Sequence, residues 1–212
     1  MQKPSLLPEI GSSLPDLSPA DRRLYLITGD RPDLEEFLEA AIRGGVDIVQ
    51  FREKEKQDGA LLEALARARS VTARLGVPLV VNDRPDLAVL AGADAVHVGQ
   101  DDLPVLAARG FGLPVGLSTH TPADVERADG DYLGVGPVFA TPTKPGRPAV
   151  GLELVTYAAR HARQPWFAIG GIDVGNVGAV VAAGAARIAV VRAIGDAPDP
   201  ERAAHDLRSF LP

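Results

Sequence analysis

The chain has 212 residues, is 46% hydrophobic and 24% charged, and carries a formal net charge of −6. This is ordinary globular composition, enough for one α/β domain with a sizeable core. The absence of cysteine excludes disulfides, thiolate metal sites and a cysteine nucleophile; no basic run offers a face to nucleic acid, and no apolar run approaches the roughly 20 residues of a membrane span.

The first stretch, MQKPSLLPEIGSSLPDLSPADRR, lacks the continuous apolar segment of a signal peptide and is rich in Pro and Ser. Residues 1–23 therefore read as a loose leader before a domain over 24–212, and the expected location is the cytoplasm. From Leu24 onward, short apolar runs alternate with amphipathic stretches. LYLIT (24–28) comes first, followed by DLEEFLEAAIRGG, with apolar residues near 34, 37, 38, 41 and 42 and glycines able to end a helix. VDIVQF (46–51) precedes the long periodic GALLEALARARSVTARLG. PLVVN (78–82), AVHV (95–98), PVGLS (114–118) and YLGVG (132–136) follow, separated by RPDLAVLAGA, LPVLAARG and TPADVERA. LELVTYAARHA, WFAIG (166–170), DVGNVGAVVAAGA, RIAVV (187–191) and DPERAAHDLRSFL complete the chain. Eight strands, each followed by a helix, imply parallel strands. In this length they predict a compact (β/α)8 TIM barrel, with an open doubly wound sheet as the alternative. TGDRPDL after the first strand is not a dinucleotide-binding G-x-G-x-x-G.

A barrel enzyme keeps its chemistry at the C-terminal ends of its strands, and the unusual polar residues fall there. Gln50, Arg52 and Lys54 alternate at the end of the second strand, so an amide and two cations are aimed to one side. Isolated charge beside a core is costly, which makes an anionic ligand the expected partner. Asn82 and Asp83 end the third strand, His97 and Gln100 to Asp102 close the fourth, and Ser118 and His120 close the fifth. GPVFATPTK, with Thr141, Thr143 and Lys144, follows the sixth; two hydroxyls and an ammonium in a Gly/Pro-rich loop suit a phosphate. Gly170 and Gly171 end the seventh strand and Arg192 follows the eighth, the region where such barrels bind phosphate on backbone N–H groups.

Asp83 and an aspartate after the next strand could converge on Mg²⁺, which takes hard oxygen ligands and keeps several waters. Asp83 reads equally as the cap of the helix at RPDLA, and Asp101 or Asp102 as the cap of a helix starting at Leu103. His97 reads as a satisfied core histidine, His120 as a residue near a helix N-terminus, His161 and His205 as surface residues, and Trp166 as packing.

QFREK, NDRPDLA, HVGQDD, GLSTH, GPVFATPTK, AIGGI and VVRAI, in this order and spacing, resemble the motifs of the thiamine-phosphate synthase family from Leu24 to the end. The resemblance implies a transferase that joins a hydroxymethylpyrimidine diphosphate to a thiazole phosphate, releasing pyrophosphate with the help of Mg²⁺. It places Asp83 and Asp102 on the metal, Asp102 being chosen over Asp101 by the family pattern H-x-G-Q-x-D. Gln50, Arg52, Lys54, Asn82, Ser118 and Lys144 would contact the pyrimidine diphosphate, with Arg52, Lys54 and Lys144 stabilising the departing pyrophosphate. Thr141, Thr143, Gly171, Val191 and Arg192 would hold the thiazole phosphate, the last two through backbone groups. Arg192 stands where some members have serine.

The implied partners are small phosphorylated molecules, with no nucleic acid and no membrane, for a monomer or small homo-oligomer. Two other readings remain open. A thiazole tautomerase on the same barrel would have no diphosphate to ionise and no need of paired carboxylates, though His120 could move protons. A non-catalytic phosphate-binding barrel would bind its ligand without releasing pyrophosphate.

Overall fold

A computed structural model describes residues 22–141 and 148–212. Eight parallel strands close into a barrel in chain order: β1 (Leu24–Thr28), β2 (Ile48–Phe51), β3 (Leu79–Asn82), β4 (Ala95–Val98), β5 (Val115–Thr119), β6 (Tyr132–Val135), β7 (Trp166–Ile169) and β8 (Ile188–Val190). The helices outside it are α1 (Leu34–Arg43), α2 (Asp58–Arg74), α3 (Pro85–Leu90), α4 (Val105–Arg109), α5 (Pro122–Arg127), α6 (Gly151–His161), α7 (Val177–Ala182), α8 (Arg192–Gly195) and α9 (Pro200–Arg208). The expected TIM barrel is the observed fold, and the open sheet is not. The eighth unit carries two helices rather than one: the four-residue α8 follows β8 directly, and α9 is the expected amphipathic segment.

The pattern that makes the helices is plain in α1. Leu34, Phe37, Leu38 and Ala41 form its buried stripe, with Glu35 and Glu36 in the first turn and Arg43 in the last, each charge favoured by the helix dipole. At α5, Thr121 and Asp124 make a reciprocal capping box. His161 and His205 lie exposed on outer helices, and Trp166 is buried at the start of β7, as expected. Among the described residues, no helix is long and apolar enough to cross a membrane.

Parallel strands bury two faces. One packs against the helices, with Leu24, Leu26, Val49, Phe51, Leu79 and Leu133 among its members. The other fills the barrel with a smaller cluster that includes Tyr25, Ile48, Val80, Tyr132 and Phe167. The three rings stand edge to face, with Tyr25 and Phe167 centroids 5.1 Å apart.

The strands repeat in pairs at the N-terminal end of the barrel. Asp47, Asp94 and Asp131 each immediately precede an even-numbered strand. Their backbone N–H groups donate to the carbonyls of Leu24, Leu79 and Val115, the first residues of the odd-numbered strands alongside. Their carboxylates accept those residues' N–H groups in return, at 3.0, 2.8 and 2.7 Å. Asp47 also accepts from Arg23 at 2.6 Å, while Arg69 and Arg109 pair with Asp94 and Asp131. Prolines 78, 114 and 165 precede β3, β5 and β7, and their carbonyls receive N–H groups from Val49, Val96 and Leu133. Proline fits there because a residue just ahead of a strand can forgo its N–H. Arg23 holds that place before β1, and its carbonyl accepts from Ile188 as the barrel closes. Arg22 Nη1 donates to the Asp47 carbonyl at 2.8 Å, so Arg22 and Arg23, the end of the expected leader, are both fastened to the barrel.

Candidate active site

The opposite end of the barrel opens into a cavity of about 320 Å³. Its wall includes Gln50, Arg52, Asn82 and Ser118 from the first half of the barrel. Thr141, Gly171, Val191 and Arg192 face it from the second half. Residues from motifs spread between Gln50 and Arg192 therefore share one space. Thr143 and Lys144 lie outside the described residues.

The second strand ends at Phe51, so strict alternation carries only Gln50 and Arg52 inward. Lys54 sits in the bend beyond the strand, half exposed, and like Asp83 and Asp102 is not among the residues that line the cavity. Its Nζ lies 3.1 Å from Asp83 Oδ2. Among the described residues, the Arg52 guanidinium has no hydrogen-bond or ion-pair partner, although it borders the cavity and is only partly exposed. A cation so placed, with five donors in a rigid fork, suits a bidentate phosphate or carboxylate.

Asp83 does not cap α3. That helix has Arg84 at its N-cap and no side-chain cap hydrogen bond. Asp83 instead takes φ +62°, the left-handed region that aspartate tolerates better than most residues, and its N–H donates to the His97 carbonyl at 2.8 Å. The turn brings its carboxylate beside that of Asp102. Burial raises the Asp83 carboxyl above the usual range; the Lys54 ammonium opposes the rise and the Asp102 carboxylate adds to it. Asp102 is not a helix cap either: α4 starts at Val105 with Pro104 at its cap, and Asp102 Oδ2 accepts the Gly99 N–H at 2.9 Å. Among the described residues, no group of three or more histidine or acidic side chains is arranged to hold a metal. Two adjacent carboxylates are hard oxygen donors of the kind that Mg²⁺ takes.

The other wall is built by close approach. Gly170 and Gly171 have φ values of +105° and +65°. A Cβ at Gly170 would stand 2.4 Å from Pro137 Cβ, and one at Gly171 2.8 Å from Phe139 Cβ. The double glycine lets the loop after β6, which carries Thr141, lie directly against the end of β7. Val191 is the N-cap of α8 and Arg192 its first residue.

The cavity floor was not legible as a site. Tyr25 and Phe167 line it, with His97 beside Ser118. His97 is a satisfied core histidine: it is 9% exposed, with Nδ1 3.3 Å from Tyr132 Oη and Nε2 3.0 Å from Ser118 Oγ. His120 lies just before α5, with its N–H on Asp124, its Nδ1 on the Gly136 carbonyl and its ring in the cavity wall. Tyr25 betrays itself in sequence only by being the one polar group in LYLIT at an inward-facing position.

A family model described as thiamine monophosphate synthase matches residues 24–194. A thiamine-phosphate synthase of Thermus thermophilus is 54% identical over 199 residues, covering 89% of this chain and 97% of the relative. One of Gloeobacter violaceus is also 54% identical over 189 residues; the match covers 86% of this chain and 55% of that longer relative. Among solved structures, a thiamine phosphate pyrophosphorylase from Pyrococcus furiosus superposes with a TM-score of 0.80 at 31% identity, covering 89% of this chain and 94% of the other. By family model, by relatives identical at half of their aligned positions and by the superposed barrel, the chain belongs to the thiamine monophosphate synthase family.

Proposed function

We propose that the rim around Arg52, Lys54, Asp83 and Asp102 carries this chain's thiamine-phosphate synthase activity by helping a diphosphate to leave. The reaction joins 4-amino-2-methyl-5-(diphosphomethyl)pyrimidine to 4-methyl-5-(2-phosphoethyl)thiazole, yielding thiamine monophosphate and pyrophosphate. The observation that carries the assignment is the Arg52 guanidinium on the cavity wall, without an anion among the described residues, two positions before the Lys54 that pairs with Asp83.

In this reading Arg52 grips the diphosphate in a bidentate fashion, and Lys54 turns from Asp83 towards the same oxygens. Lys144 adds a third cation. Asp83 and Asp102 would hold Mg²⁺ together with diphosphate oxygens, and the ion when bound supplies positive charge to the leaving group. Such preorganised charge acts most strongly as the C–O bond breaks, because negative charge on the leaving oxygen is then growing. Gln50, Asn82 and Ser118 orient the pyrimidine. Thr141 and Thr143, with backbone groups of Gly171, Val191 and Arg192, fix the thiazole phosphate so that its ring nitrogen faces the pyrimidine methylene cation. That nitrogen attacks with its own lone pair, so no strong base is required. The setting is the cytoplasm.

The test mixes purified protein with both substrates and Mg²⁺ and follows thiamine monophosphate and pyrophosphate together. Equal amounts of both products are expected. Folded protein that makes neither product would sink this reading and point to thiazole isomerisation or simple ligand binding instead.

A further inference from the structure

Five polar side chains run through the barrel beneath the cavity: Gln50, Tyr25, Tyr132, His97 and Ser118. All are buried, between 2% and 9% exposed. Gln50 Nε2 donates to Tyr25 Oη at 2.9 Å, Tyr25 Oη lies 3.0 Å from Tyr132 Oη, and Tyr132 Oη lies 3.3 Å from His97 Nδ1. His97 Nε2 is 3.0 Å from Ser118 Oγ. Both ends of the chain, Gln50 and Ser118, face the cavity. Burial raises both phenols above their usual range, so each keeps its proton. The path exists because Gly116 lacks a side chain: a Cβ there would stand 2.2 Å from Tyr132 Cζ and 2.5 Å from His97 Nδ1.

Each hydroxyl in the chain has one proton, and a neutral imidazole has one N–H. If Gln50 donates to Tyr25, then Tyr25 donates to Tyr132, and Tyr132 donates to His97 Nδ1. His97 then carries its proton on Nε2 and donates it to Ser118, whose own hydrogen is left for the cavity. Gln50, having spent an amide hydrogen below, offers its carbonyl oxygen above. Reversing any one link reverses them all, because a link with two donors or two acceptors leaves a buried group unpaired. The two ends therefore have opposite character, one accepting and one donating, and change only together.

We propose that Tyr25, Tyr132 and His97 are positioning residues that couple the hydrogen-bonding character of Gln50 to that of Ser118, and so select a 4-aminopyrimidine over its 4-oxo counterpart. The inference rests on the reading that Gln50 and Ser118 face the pyrimidine. An aminopyrimidine edge shows a donor on the amine beside an acceptor on the ring nitrogen. The 4-oxo ring in the same pose shows an acceptor on its oxygen beside a donor N–H. It reverses both demands at once, so unless the whole buried chain inverts it must make do with the second Gln50 N–H and the remaining Ser118 lone pair, and it leaves the Gln50 carbonyl oxygen and the Ser118 hydrogen facing like groups. Sites built on buried hydrogen bonds reject the mismatched ligand because their own groups are left unpaired.

Two measurements test this. Histidine-labelled protein, read by ¹⁵N NMR without substrate and with His97 assigned from His97→Gln, shows one tautomer at His97, protonated on Nε2. In Tyr132→Phe, which keeps the ring and removes the hydroxyl, and in Tyr25→Phe, the tautomers mix. The second measurement compares KM for the aminopyrimidine diphosphate with the inhibition constant of its 4-oxo analogue. The oxo compound binds at least about a hundredfold more weakly to wild type, and the margin narrows on the order of tenfold in both variants. Tyr157→Phe, on an outer helix where the half-buried ring turns its hydroxyl to Glu126, leaves tautomer and margin unchanged. An unchanged tautomer or an unchanged margin in the folded Tyr132→Phe and Tyr25→Phe proteins overturns the coupling. Wild-type protein that fails to turn over the aminopyrimidine removes the reading beneath the selectivity instead, a separate result because the histidine is read without substrate.

Discussion

The two ends of the barrel use aspartate in opposite ways. At the N-terminal end, Asp47, Asp94 and Asp131 each accept backbone N–H groups of the neighbouring strand, and two of them pair with an arginine. Their charge is met by groups that do not leave. At the C-terminal end, Asp83 and Asp102 stand beside each other, and the half-exposed Lys54 ammonium lies against Asp83. Adjacent carboxylates destabilise one another unless a cation joins them. The same residue type thus latches the fold at one end and sets two carboxylates side by side at the other. The difference comes from backbone placement: the latching aspartates sit one residue before a strand, whereas Asp83 follows one in a left-handed turn.

This contrast can be broken in four ways. Asp83→Asn is expected to cost the largest factor, at least about a hundredfold in kcat, with a nearly unchanged thermal midpoint; near-normal turnover at low Mg²⁺ would remove Asp83 from the metal. Asp94→Ala should do the reverse. It strips a partner from the Leu79 N–H and from Arg69, so stability in urea should fall by about 2 kcal/mol while kcat at low temperature stays near wild type. A loss of kcat without a loss of stability would blur the two ends. Lys54→Ala should lower kcat about tenfold and change KM less, because its charge matters most as the leaving group departs; a pure KM effect in steady-state assays would count against it.

The smallest effect concerns pH. Burial raises the Asp47 carboxyl against the pull of the Arg23 and Leu24 N–H groups. A folded-state value above the unfolded one means that the folded form binds the proton more tightly. Wild type should therefore gain stability over Asp47→Asn as pH falls through the raised value to the ordinary carboxyl range near 3.9, by less than about 1 kcal/mol. Parallel urea titrations at stepped pH check this, and a gap that widens in the other direction would contradict it.

The barrel was legible because parallel strands buried on both faces leave short apolar runs, and because the helix stripes recur at helical spacing. The ends of the runs were less so. Val46, Pro78 and Pro114 read as strand residues but lie just before the pairing begins. The four-residue α8 is too short to show a period. At the site, motif order carried Gln50, Arg52, Asn82, Ser118, Thr141, Gly171, Val191 and Arg192 to one cavity, while the alternation argument overreached at Lys54 because β2 stops three residues earlier. Cap chemistry for Asp83 and Asp102 looked as good as metal chemistry in sequence. The turn geometry removes the cap reading. The latches went unread although GVD, GAD and GD precede three strands, since an isolated aspartate carries no period. The polar floor was hidden because a tyrosine inside an apolar run looks like packing until its hydroxyl is given a partner.

The missing side chain at Gly116 has a consequence for how this sequence can vary. Tyr132 on the next strand occupies the volume that any other residue at 116 would need, down to a 2.2 Å approach at its ring carbon. These two positions and His97 on the other neighbouring strand share one allotment of space inside a closed wall. Alanine at 116 needs a shorter side chain at 132 and a shift of the His97 ring, whose Nδ1 would stand 2.5 Å from the new Cβ, and removing the tyrosine hydroxyl alone does not make the room. Residues 97, 116 and 132 on three neighbouring strands therefore mutate as a unit, and their combined change should fall far from the sum of the separate ones.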